Sequence, residues 1–417
     1  MSSTANLSPA VPTPEHIPES LVYDFDMFLD PAMQVDPHKR VYDLVQNVPP
    51  IFWTPRNEGH WVFLSHSANF NASRDTETFS NEVIPQAIIK QMMAQMPPGS
   101  PHIPQPIPIN VDPPEHGKYR TPLNRVFSPK AIAALKDDIR KLADDLIDDI
   151  IADGACEFMS SIAEPLPVQV FLKMLGLPLD RQAEYRELVR DHLSESNSEG
   201  NMAAKLMRIT ASMRDTLLAR KEEPQDDIIS MLWKLEIDGE PMTLADMENY
   251  CVLLFIAGLD TVMNGIGHGI RHIAQDPSLQ ADLRKDPALI AEVTEELLRR
   301  YTFTVPPRRV DKDVVFEGVT MKAGDKVMLY LPAADLDPNE FAKPDTFDLK
   351  RENKVHIAFN AGPHRCLGSH LARVELQIVY EQMLARLPEF RLDPARPAKF
   401  HSGHVIGVDE LHLLWKI

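Results

Sequence analysis

The stretch FNAGPHRCLGSHLA, Phe359 to Ala372, decides how the rest of the chain is read. It sets Cys366, one of three cysteines, between Gly362 and Gly368, with His364, Arg365 and His370 beside it. Beyond Gly368, Leu371, Val374 and Ile378 recur at helical spacing and the run closes near Leu387-Pro388, so Cys366 stands just before a helix N-terminus. Free amides and the positive end of the helix dipole favour a thiolate there. The glycines allow conformations and close approaches denied to larger residues. A thiolate on such a loop is a good ligand for a soft or borderline metal. Against this, a lone cysteine is most often a small buried hydrophobe. His356, His364, Cys366 and His370 could be assembled into a zinc set, but their spacing matches no common zinc pattern.

The chain of 417 residues is 44% hydrophobic, enough for a large core. Lys+Arg 43 against Asp+Glu 61 leaves a net charge of −18, which argues against nucleic-acid or anionic-membrane binding. Cys156, Cys251 and Cys366 are far apart and form neither a disulfide framework nor a CxxC pair, which suits a reducing, cytoplasmic setting. The N-terminal twenty residues, polar and proline-rich, read as a flexible segment without the apolar core of a signal peptide. The most apolar run, CVLLFIAGL, is too short to cross a bilayer and stops at Asp260.

Helical patterns dominate. The run from Leu244 to Gln275 follows a Thr243–Asp246 capping box and ends at Asp276-Pro277, predicting one long central helix on the order of 45 Å. A second helix is predicted after Asp286 with Pro287 at its first position, and a third between Ser128 and Gly154. Strand signals are sparse, the clearest being a hairpin-like pair within 313–331. The proline-rich stretch from Met96 to Glu115 cannot be a helix and reads as a long shaped loop. The class is mainly α with small β-sheets.

Three further patterns carry chemistry. AGLDT, Ala257 to Thr261, puts a carboxylate and a hydroxyl side by side inside an apolar helix, where Thr261 can divert the carbonyl one turn back. Glu296 and Arg299 share a helix face and can pair. His116 and Arg120 lie one helical turn apart in DPPEHGKYR.

Together, Phe359, Gly362, His364, Cys366 and Gly368 resemble the heme-ligand signature of the cytochrome P-450 family, F-G-x-G-x-H/R-x-C-x-G, with Asn360 standing where glycine is usual. AGLDT resembles that family's oxygen-activation motif and Glu296/Arg299 its E-x-x-R pair. The segment 341–362 is similar to the meander before its cysteine loop. The resemblance covers essentially the whole chain, residues 1–417 as a single domain. It is closest to bacterial camphor hydroxylase and its terpenoid-hydroxylating relatives, through ESLVYDFDMF, VDPPE, GLDTVMN, EELLRR and SGHVIGV.

What the resemblance implies is a heme-thiolate monooxygenase binding heme b (iron protoporphyrin IX), with Cys366 as iron ligand. His116, Arg120, Arg308 and His364 would hold the propionates, and Asp260 with Thr261 would deliver protons. Glu296 and Arg299 would be structural, tied to the cysteine loop through Arg351 or His356. No flavin or iron–sulfur segment is visible, so electrons would come from a [2Fe-2S] ferredoxin and its flavin reductase. That partner would dock on a basic face of Lys118, Arg120 and Arg365 of a monomer. The implied pocket residues are Met92, Met96, Leu253, Ile256, Ala257, Thr304, Val305, His404 and Val405, beneath an adaptable lid that includes Ile84, Ile88 and Met93. Pro104 stands where camphor hydroxylase has its ketone-binding tyrosine. The expected substrate is therefore a small apolar terpenoid (a monoterpene, cyclic ether or norisoprenoid), with camphor a poor fit. Two alternatives are an H2O2-dependent peroxygenase, disfavoured by the acid–alcohol pair, and a non-catalytic heme sensor, for which no signalling appendage is visible.

Overall fold

A computed structural model describes residues 7–97, 99–193 and 199–417. Its elements are mostly helices, with five small sheets among the described residues. The largest apolar cluster is helical and includes Phe171, Phe255, Ile266, Leu376 and Tyr380. Two smaller clusters line a five-stranded sheet, one around Trp61, Phe63 and Phe79, the other around Phe25, Phe52 and Tyr330. The N-terminal segment from Ser8 packs on this side: Arg56 donates to the Ser8 carbonyl and Ile17 is buried. Residues 1–6 lie outside the described residues.

The sheet runs Ile51–Thr54, His60–Phe63, Lys326–Leu329, Pro307–Val310, Phe79–Ser80 in space, antiparallel except where Lys326–Leu329 meets His60–Phe63. Alternation along Pro307–Val310 turns Arg308 and Val310 inward, which buries a guanidinium beneath the sheet. The expected pair in 313–331 is a Val314–Phe316/Val319–Met321 hairpin, followed by the sheet strand Lys326–Leu329.

The central run is helical as expected, but in two pieces: Leu244–Leu259, opened by the Thr243–Asp246 capping box, and Thr261–Gln275. Between them Asp260 leaves the helical region (φ −121). The cause is side-chain competition for carbonyls. Thr261 Oγ1 donates to the Ala257 carbonyl at 3.2 Å and Asn264 Nδ2 to that of Asp260 at 3.1 Å. The combined stretch is long and apolar enough to cross a membrane, yet half of its most apolar window is buried inside the protein. The 128–154 periodicity divides into Pro129–Ala133, Lys136–Asp148 and a short turn ending at left-handed Gly154.

Candidate functional site

Cys366 precedes the helix Ser369–Arg386, with Gly368 at its N-cap. The loop is held by its own backbone, Cys366 N–H donating to the Phe359 carbonyl at 2.9 Å, and by its contact with the end of helix His66–Arg74. Gly362 (φ 69) is obligatory here, because a Cβ would fall 2.4 Å from the Ser73 carbonyl oxygen. Asn360 also adopts a left-handed conformation (φ 62), and its Oδ1 accepts from Ser73 Oγ at 2.5 Å and from Ala361 N–H at 2.8 Å. The residue that departs from the usual glycine thus ties the cysteine loop to a neighbouring helix.

The Cys366 side chain opens into a cavity of about 290 Å3. Burial raises its thiol above the usual range, against the Gly368 N–H and the charges of Arg120, Arg365 and Arg373. The helix terminus and these charges therefore do not by themselves favour the thiolate. Leu253 and Ala257 line the cavity from the end of one helix and Thr261 from the start of the next, joined by Thr304 and by Phe171, Val262 and Phe303, which sequence reasoning missed. Gly258 is required for packing, since a Cβ there would sit 2.5 Å from the Phe171 ring.

Of the expected basic residues, His116, Arg120 and His364 line the same cavity, and Arg308 is buried beside them. The His116 and His364 rings are 4.3 Å apart. His116 Nε2 and Arg308 Nε and Nη2 are buried with no partner. Burial, then the nearby His364 and Arg120 charges, lowers His116 to about 4; burial pushes Arg308 down to about 10. His364 Nε2 is 3.3 Å from Asp112 Oδ1, an ion-pair distance without hydrogen-bond geometry. Asp112, which accepts from Ser80 Oγ at 2.6 Å, was not legible as a site residue, because its partners come from elsewhere in the chain.

These observations fit heme b. Orphaned buried donors converge where two propionates need partners. An added Cβ on Gly368, which lines the cavity, would meet no atom within 4 Å, so that space is free for a flat macrocycle beside the thiol. Metal-binding by a zinc set has no such support. His356 is instead bonded to Glu295 at 3.2 Å, and among the described residues no three His, Cys, Asp or Glu are arranged to hold a metal ion.

Six expected pocket residues do not line the cavity. Met92 is 60% exposed on helix Gln86–Ala94, and Met96 lies beyond its end. Ile256, one position from Ala257, is rotated about 100° around the helix and packs into the helical core. Val305 alternates with Thr304 and is buried against the sheet side. Val405 bridges Thr304 through its backbone, and His404 Nδ1 stands 3.2 Å from the Val305 carbonyl oxygen. The loop residues that reach the cavity are Pro108 and Ile109 rather than Pro104.

Below the cysteine loop, Arg299 is 1% exposed and donates twice to Glu296 and to the carbonyls of Asp335, Pro344 and Thr346. Arg351 is the third member, 3.2 Å from Glu296 Oε1. The Glu–Arg pair is therefore a buried clamp on the meander. Of the expected basic docking face, Lys118 is committed to Glu115 and Asp238, at 2.8 and 2.7 Å.

The cytochrome P450 family model matches residues 188–404. A probable cytochrome P450 127A1 of Sinorhizobium fredii is 36% identical over 97% of both chains. A steroid C26-monooxygenase of Mycobacterium tuberculosis is 32% identical over 81% of this chain and 91% of its own. The crystal structure of CYP101J2 superposes with a TM-score of 0.85 at 31% identity, covering 98% of this chain and all of that one.

Proposed function

The chain belongs to the cytochrome P450 family of heme b monooxygenases, and on that premise we propose that it hydroxylates a small apolar terpenoid, such as a monoterpene cyclic ether or a norisoprenoid. The observation that carries this reading is the wall facing Cys366: Phe171, Leu253, Ala257, Val262 and Phe303, with Thr261 and Thr304 as its polar points. Such a wall orients an apolar molecule by shape and excludes water.

When bound, heme b supplies the activation of O2 that lets one oxygen atom enter a C–H bond while the other leaves as water. The residues of this chain do the rest. Cys366 would hold the iron. His116, Arg120, Arg308 and His364 would hold the propionates, which would satisfy the orphaned His116 and Arg308 nitrogens. Thr261 would position a proton at its hydroxyl, and Asp260, whose pKa burial raises, would exchange it. Electrons would arrive from a [2Fe-2S] ferredoxin and its flavin reductase, docking near Arg120 and Arg365; Lys118 is already neutralised. The protein would act as a cytoplasmic monomer.

The reduced protein's CO difference spectrum tests the thiolate ligation, a red-shifted Soret band being expected. Titration with a monoterpene cyclic ether, a norisoprenoid ketone, camphor and a steroid tests the substrate class. A full low-spin to high-spin shift is expected with the first two. A full shift with only the steroid, or with camphor above all others, would overturn the proposal. Turnover with H2O2 alone that matches the ferredoxin system would favour the peroxygenase reading.

A further inference from the structure

The loop that brings Pro108 and Ile109 to the cavity is built so that its own backbone can do little to hold it. Pro101, Pro104, Pro106 and Pro108 lack an amide donor, so half of the positions from 101 to 108 can donate nothing to a helix or a sheet. The neighbouring helix Gln86–Ala94 buries none of its residues, and Ile84, Ile88 and Met92 are exposed, so apolar packing on that side is thin. Ile109 lines the cavity yet is 49% exposed, which places it at the mouth.

What fastens the loop is a side chain of the central helix. Asn249 is buried on Leu244–Leu259, one turn before the cavity residue Leu253 and on the same face. Its Oδ1 accepts from Gln105 N–H at 2.7 Å and lies 2.9 Å from His102 Nε2. The Gln105 amide can only donate, so the atom it meets is the amide oxygen, and His102 Nε2 must carry the proton it shares. Neutral imidazole and imidazolium can both do so. From Gln105 the ties continue along the loop. Its Oε1 accepts from Asn110 Nδ2 at 3.1 Å, and the Asn110 carbonyl accepts from Gln86 Nε2 at 3.0 Å. At the far end Asp112 accepts from Ser80 Oγ at 2.6 Å and from Asn81 N–H at 3.2 Å. Ile109 is thus slung between two polar anchors, and of the two the Asn249 anchor sits on the helix that carries Leu253 and Ala257.

We propose that Asn249 is a positioning residue: acting through Gln105 and His102, it holds the 102–109 loop against the helix bearing Leu253 and Ala257, and so sets the width of the cavity mouth at Ile109. The inference rests on the reading of this cavity as the substrate pocket. Asn249 touches no reacting atom. It governs how fast an apolar molecule enters and leaves and how tightly it is gripped, and it leaves the chemistry beside Cys366 alone. Removing its oxygen costs more than the two bonds are worth, because two donors are left unpaired at a largely buried seam.

The test uses the heme-loaded protein and two probes: phenylimidazole, which ligates the iron and need not be a substrate, and a monoterpene cyclic ether. Asn249→Leu keeps the size and removes the acceptor, whereas Asn249→Asp retains it. In Asn249→Leu, stopped-flow dissociation of phenylimidazole and the KM for the cyclic ether should each rise roughly tenfold, with kcat within about twofold of wild type. Hydrogen exchange of the Gln105 amide should quicken in the same variant. Asn249→Asp should restore all of these, and His102→Phe, which spares the Gln105 bond, should fall between. Wild-type azole kinetics and Gln105 exchange in Asn249→Leu, or equal effects of the Leu and Asp variants, would overturn the inference. Should Asn249→Leu fail to fold, His102→Phe carries the test, and azole dissociation at the wild-type rate overturns it. The azole also separates the two readings. If it follows the expected pattern while no terpenoid shifts the spin state, the terpenoid substrate falls and the role of Asn249 stands.

Discussion

Glu375 is a carboxylic acid in an unusual place. It sits on helix Ser369–Arg386, lines the cavity, is 1% exposed, and neither carboxyl oxygen has a partner. Burial raises its pKa from 4.5 to about 8, with no neighbouring charge to offset it. At neutral pH the folded protein therefore holds a proton that the unfolded chain releases. The sign follows: stability contributed by this group is full below pH 4.5, declines as pH rises toward 8, and is constant above it. At about 1.4 kcal/mol per unit, the loss by pH 7 is on the order of 3 kcal/mol.

Glu375→Gln removes the ionisation and leaves the shape, so the variant should gain on the wild type as pH rises. Unfolding entropy near 2.1 cal/mol/K for each of 417 residues converts about 3 kcal/mol into roughly 3–4 °C. The assay is thermal unfolding of both proteins at pH 5, 6, 7 and 8. The Tm difference, variant minus wild type, should rise by about 3 °C between pH 5 and pH 7, the interval over which about 2.5 kcal/mol of that loss falls. An infrared carbonyl band of a protonated acid, absent in the variant, is the second readout. A Tm difference that stays constant from pH 5 to pH 8 would show that Glu375 is not held neutral and would refute the reasoning.

Arg299→Ala should cost at least about 3–5 kcal/mol by breaking the buried clamp, and Arg299→Lys less, read as urea midpoints and retained heme. Thr261→Ala should leave the heme spectrum unchanged and divert electrons to peroxide, measured as product per electron consumed. Burial depresses His268 to about 3. Its contribution is therefore present above pH 6.5 and lost as pH falls toward 3, about 2 kcal/mol by pH 5; His268→Phe should flatten acid unfolding over that range. Asn360→Gly relieves a left-handed side chain and loses the Ser73 tie, so stability should change by less than about 1 kcal/mol while the heme reduction potential shifts.

What the sequence revealed and what it hid divide along the range of the interactions. The Thr243 capping box, the helix after Pro287 and the loop around Cys366 are set by residues within a few positions of one another, and all were legible. Leu253, Ala257 and Thr261, which the resemblance implied, line the cavity from two successive helices. The break at Asp260 was hidden because apolar periodicity continues through it; the cause is polar competition by Thr261 and Asn264. Asp112, Phe171 and Phe303 reach the site only through tertiary packing. Ile256 and Val305 were misplaced by one residue each, which on a helix is about 100° and on a strand is the opposite face.

The orphaned nitrogens of His116 and Arg308 also bear on how the site assembles. Burial lowers both groups: His116, at about 4, is a neutral imidazole at pH 7, while the Arg308 guanidinium stays charged with Nε and Nη2 unpartnered. Arg308 is fixed on a sheet strand and His116 on the helix Glu115–Val126, so neither can retreat to water without disturbing its element. The cavity edge thus holds one buried cation and one neutral imidazole that the two propionates of a bound heme would partner. Asp112 offsets only part of that charge, being shared with Ser80, Asn81 and His364. Cofactor capture and fold stability would then be linked: Cys366 would hold the iron, and the propionates would partner Arg308 and His116 at the cavity edge.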